Sequence, residues 1–111
     1  MFPPMRLLEK SLAKKRARAE QARIVALRAA QEALRELMPG EKAVLFGSVA
    51  KPGKFRENSD VDVALFATPA RVSEFSLQVF LEESLGRSVD VVMLPDCRFR
   101  EKILREGIVC G

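Results

Sequence analysis

The 111-residue chain has no histidine, no tryptophan and no tyrosine, and only two cysteines. Without histidine, Ser-His and Cys-His nucleophile pairs are excluded, and the usual zinc ligand sets with them. Cys97 and Cys110 lack metal-ligand spacing and read as reduced thiols of a cytoplasmic protein. With no Trp or Tyr, and Phe mostly in apolar runs, the chain offers little base-stacking surface. No apolar run approaches the roughly 18–20 residues of a membrane-spanning helix. The start, "MFPPMRLLEK", carries no secretory core, so neither a targeting nor a membrane segment is expected.

What is present suits one small globular domain with an appended element: 48% hydrophobic and 31% charged residues. The net charge of +4 is unevenly spread. Residues 1–40 hold nine Lys and Arg against four Glu, whereas the remainder is slightly acidic. A basic arm of this kind fits nucleic acid, an acidic partner surface or a solvated helix face.

From Met5 to Met38, Ala, Leu, Arg, Glu, Lys and Gln predict one long helix, stopped by Pro39-Gly40. Ile24, Leu27, Leu34 and Leu37/Met38 form its apolar stripe, and Lys14, Lys15, Arg16 and Arg18 a dense basic cluster. The second half is expected to pack on the domain and the first half to project or dock on another chain. Residues 1–38 thus form a basic helical unit preceding a domain over 39–111.

"KAVLFGS" reads as a short buried strand, "KPGKFRENS" as a loop and "DVDVALF" as a second strand. Thr68 and Pro69 look like the N-cap and first turn of a helix reaching Leu85, with Val72, Phe75, Val79 and Leu81 inward and Gly86 as terminator. "SVDVVML" is a third strand, "CRFREKILREG" a short helix and "IVC" a closing edge strand. The order implies a small α/β (α+β) domain whose mixed sheet is covered by helices on one face.

Asp60 and Asp62 leave one face of their strand, roughly 6.5–7 Å apart. Two carboxylates so placed repel, and a divalent cation removes the conflict; Mg²⁺ takes one or two carboxylates plus substrate phosphates. Asp90 occupies the matching place in the next strand. If the two strands pair, three carboxylates converge, an arrangement suited to metal-assisted phosphoryl or nucleotidyl transfer. Gly47-Ser48 ends the first strand, where close backbone approach and a hydroxyl can hold phosphate oxygens, with Lys51, Lys54 and Arg56 on the loop beyond. D-x-D alone is common on solvated strand edges; the conjunction with Gly-Ser and a third aspartate carries the reading.

"FGSVAKPGKFRENSDVDVALF" followed by "VDVVML" resembles the signature of the DNA polymerase β-like nucleotidyltransferase superfamily. Over residues 30–111 the chain is most similar to its minimal nucleotidyltransferases, the antitoxin partners of HEPN-domain toxins. The resemblance implies a polymerase β palm-like fold. It assigns phosphate binding to Gly47, Ser48 and Lys51, and two Mg²⁺ ions to Asp60, Asp62 and Asp90, which form the catalytic set. It further implies transfer of AMP from ATP to a hydroxyl of the partner toxin. The loop is one residue longer than usual and reads "GSVAKPG" where "GSRARG" is frequent, so Lys51 replaces an arginine as a point charge. A chain this small needs a partner protein or a second copy to complete its site. Alternative functions are an antitoxin acting by occlusion alone, or action on tRNA or DNA through Lys14, Lys15, Arg16 and Arg18.

Overall fold

The computed structural model describes residues 5–111, so the first four residues of the predicted N-terminal unit lie outside the described residues. Helix α1 (Met5–Leu37) leads into strand β1 (Ala43–Phe46) and a tight 3-10 turn, Gly47–Ala50. Strand β2 (Val61–Leu65), helix α2 (Glu74–Leu85) and strand β3 (Val89–Met93) follow. A second 3-10 turn (Leu94–Asp96), helix α3 (Arg100–Glu106) and strand β4 (Ile108–Cys110) complete the chain. The four strands form one mixed sheet in the order β3-β2-β1-β4. β1 is antiparallel to β2 and β4, and the α2 crossover makes β2 and β3 parallel. Among the described residues no helix is long and apolar enough to cross a membrane.

Strand alternation divides the buried side chains between the two faces. Leu45, Val61, Val63, Leu65 and Val89 pack against α1 and α2. Val44 and Ala64 face the other way, with Phe46, Val92, Leu94 and Ile103 of α3. Helices α1 and α2 therefore cover one face as expected, while short α3 shields part of the second.

The stripe of α1 is rotated from the sequence expectation. Leu34 and Met38 are buried and Leu27 and Leu37 partly so, but the contact line is completed by Ala26, Ala30 and Ala33 rather than by Ile24. Small residues at three- and four-residue spacing let the helix backbone approach closely, which a leucine stripe would prevent. Residues 5–18 are all exposed, so the first half of the helix stands clear of the sheet.

Helix α2 corrects a second expectation. Its N-cap is Ser73, whose hydroxyl accepts the Ser76 N–H at 3.0 Å, not Thr68. Residues 66–73 form an irregular bend, and the Ala70 N–H donates to Glu41 at 3.0 Å. The later start shifts the helical phase. Leu77 and Leu81 point inward beside a partly buried Val72, whereas Phe75 is 77% exposed and Val79 borders on exposed. Gly86 ends the helix with φ +67°, the left-handed cap that glycine adopts without strain.

Candidate active site

The second face of the sheet carries the polar features. Asp62 lies within β2 between the buried Val61 and Val63, so its side chain emerges on the face away from α1 and α2. In the parallel pairing of β2 with β3, Asp62 stands in register with Asp90. On its other side it pairs with Phe46, the residue before the Gly47 turn. Asp62 is half-buried and Asp90 exposed, while Asp60 sits exposed just outside the start of β2. Burial pushes the Asp62 carboxyl above its ordinary range, and the negative charges of Asp90 and then Asp60 push it in the same direction.

The turn after β1 is shaped around that carboxylate. Gly47 has φ +74°, and a Cβ there would stand 2.5 Å from Asp62 Oδ2. Only glycine satisfies both the backbone and the space. Ser48 follows, half-buried, with its carbonyl accepting the Lys51 N–H at 3.1 Å. Lys51 does not point freely into solvent: its Nζ lies 3.1 Å from Glu106 Oε2 at the end of α3. Lys51 and Gly47 border a cavity of about 290 Å³ whose other walls include Phe46, Phe99 and Lys102.

Tertiary structure thus brings Asp62, Asp90 and Gly47 together, with Asp60 at the margin and Lys51 tethered to α3. Among the described residues no three carboxylates are drawn close enough to form a ready-made metal cage. The donor set nevertheless suits Mg²⁺: hard carboxylate oxygens, with no ion-pair partner for any of the three among the described residues.

Two supports escaped the sequence reading. Arg23 of α1, 9% exposed, donates from Nη1 to the Val49 carbonyl at 3.1 Å and makes a two-pronged contact with Glu20, Nε to Oε2 at 2.9 Å and Nη2 to Oε1 at 2.6 Å. This clamp holds the Gly47–Ala50 turn against α1. Glu20 and Arg23 are three apart on a helix, the only local signal of it. The 51–59 loop is held by Arg87, which stacks over Phe55 at 4.6 Å and donates to the Ser59 carbonyl at 2.8 Å.

The family model "Polymerase beta, Nucleotidyltransferase" matches residues 13–110, nearly the whole chain. The chain belongs to this nucleotidyltransferase family. The match begins well before residue 30, so it includes much of the basic helix. Among solved structures, a candidate minimal nucleotidyltransferase is 37% identical with a TM-score of 0.60, covering 74% of this chain and 90% of that one. A chain from a crystal structure of a toxin-antitoxin with AMP-PNP is 25% identical with a TM-score of 0.56, covering 74% of this chain and 69% of that one. No curated protein matches. The Gly47 turn and the Asp62–Asp90 pair therefore lie in a nucleotidyltransferase fold with toxin-antitoxin-like neighbours.

Proposed function

We propose that this nucleotidyltransferase transfers AMP from ATP, with Mg²⁺, to a hydroxyl of a partner protein, as the antitoxin of a HEPN toxin in the cytoplasm. The observation that carries the reading is the in-register pair Asp62–Asp90 set directly against the Gly47 turn. The neighbour crystallised with AMP-PNP, an ATP analogue, supports the choice of nucleotide, and its toxin-antitoxin context supports the partner.

Asp60, Asp62 and Asp90 are the residues that would hold Mg²⁺, which supplies positive charge to neutralise the triphosphate and the developing charge of transfer. The Gly47–Ser48 turn offers its backbone and a hydroxyl to phosphate oxygens. Lys51 adds a point charge once a phosphate displaces Glu106. Asp90, the exposed member of the pair, accepts the proton of the acceptor hydroxyl. The acceptor oxygen bonds to the α-phosphorus, the bond to the bridging oxygen breaks, and pyrophosphate leaves with that electron pair.

The ion pair between Lys51 and Glu106 favours one competing reading, neutralisation by occlusion without transfer. Incubation with α-labelled ATP, Mg²⁺ and the protein encoded by the adjacent reading frame separates the two. Label on that protein, lost in the D60A/D62A variant, is expected. Neutralisation that survives D60A/D62A, with no label transferred by wild type, overturns transfer.

A further inference from the structure

The projecting half of α1 carries a feature that the catalytic reading does not use. A helix of 33 residues is about 50 Å long, and the molecule measures 58 × 28 × 20 Å, so the helix outruns its domain. Met5, Leu8, Leu12 and Ala19 lie three, four and seven residues apart, on the stripe that continues into the buried Ala26, Ala30 and Ala33. The face that packs on the domain therefore runs on uncovered, and Met5, Leu8 and Leu12 are exposed on it. Where the helix passes the 51–59 loop it forms a cleft of about 770 Å³. Leu12, Lys15, Arg16 and Arg18 line one side, and Phe55 and Arg56 the other. Of the two glutamates in the cleft, Glu20 is already engaged by Arg23.

We infer that this seam and cleft are the docking surface for an acidic amphipathic helix of a partner protein. The inference rests on the proposed function in one respect: the partner is taken to be the protein that bears the acceptor hydroxyl. Its apolar stripe covers Leu8, Leu12 and Ala19, and its carboxylates meet Lys15, Arg16, Arg18 and Arg56. Charge selects this occupant. Between residues 5 and 19 there are six Lys or Arg and one Glu, so a second copy laid along the seam would oppose like charges. A nucleic acid would satisfy the charge but leave the leucines uncovered. It would also find no open stacking face within the cleft, because the aromatic residue lining it, Phe55, is buried beneath Arg87. The cleft wall includes Asn58, two residues before Asp60 in the chain, so a docked partner would lie against the loop that leads into β2.

The test uses the full chain and a labelled peptide of about 20 residues with leucines three and four apart among glutamates. Wild type is expected to bind it, with affinity falling on the order of tenfold in K15E/R16E/R18E and in L8E/L12E. A scrambled peptide of the same composition is expected to bind about tenfold more weakly. The substituted residues are exposed, and helical content by circular dichroism is the control for folding. Three results overturn the inference: no binding of the peptide; tighter binding of a single-stranded oligonucleotide that L8E/L12E leaves unchanged; or a wild-type dimer that L8E/L12E dissociates. A thermal shift with Mg²⁺ and ATP, run on the same samples, reports on the nucleotide site alone. Its loss strikes the proposed catalysis, and loss of peptide binding strikes the docking surface.

Discussion

Gly47 and Asp62 share one small volume: a Cβ on Gly47 would stand 2.5 Å from Asp62 Oδ2, on a backbone with φ +74°. Gly47→Ala therefore meets both a strained conformation and a carboxylate. It is expected to cost about 1–2 kcal/mol of stability and to lower nucleotide transfer by more than about tenfold, by displacing Asp62. Urea denaturation and the label-transfer assay check the two effects separately.

Asp62 is half-buried beside Asp90 and has no ion-pair partner among the described residues, so its charge works against the ligand-free fold. Asp62→Asn keeps the shape and removes the charge. The ligand-free variant is expected to be slightly more stable, by less than about 1 kcal/mol after solvent screening. It is also expected to lose Mg²⁺-dependent ATP binding. Thermal melts with and without Mg²⁺-ATP read both; a variant less stable than wild type would contradict the electrostatic account.

Lys51 pairs with Glu106, and in the proposed reaction an incoming phosphate competes for it. Glu106→Gln frees it and is expected to tighten ATP binding roughly threefold or more, while Lys51→Gln weakens it by a similar factor. Calorimetric titration with ATP decides, and equal affinities for all three proteins would remove Lys51 from the site.

The hydrogen bond from Arg23 lowers the Glu20 carboxyl below its ordinary value of 4.5. A lowered folded-state pKa means that the contribution is present above the ordinary value and is lost as pH falls through the lowered one. Wild type is thus expected to melt higher than Glu20→Gln at about pH 7, with the difference shrinking as the pH falls through the lowered value. Arg23→Ala removes the link to Val49 as well, and is expected to cost about 1–2 kcal/mol.

The two sides of α2 differ in what substitution does. Phe75→Ser is expected to change stability by less than about 0.5 kcal/mol, because Phe75 is exposed. Leu77→Ala, at a fully buried site, is expected to cost about 2–5 kcal/mol. Chemical denaturation of the pair tests the helical phase directly.

Helix α2 also marks where local pattern stops being informative. Thr68-Pro69 is a good start signal, yet Ser73 caps the helix, and a start five residues later turns Phe75 outward. The apolar residues of α2 fit more than one face, and contact with α1 and the sheet selects among them. In α1 Leu27, Leu34, Leu37 and Met38 pack on the core as their spacing implied, but Ala26, Ala30 and Ala33 complete the contact line in place of Ile24. The strands were legible because period-two alternation is a property of a few neighbouring residues. The same alternation put Asp62 on the face opposite Val61 and Val63.

The sequence by itself determined the element order, the glycine-serine turn after β1 and the charged position within each of β2 and β3, since each depends on residues adjacent in the chain. Tertiary structure decided which of these meet. The register that sets Asp62 beside Asp90 comes from parallel pairing across the α2 crossover. The Arg23–Val49 bond spans 26 residues, and the Lys51–Glu106 tether joins a loop to the end of α3. Such contacts form only when the packed core brings distant segments within hydrogen-bond reach, and no local spacing encodes that.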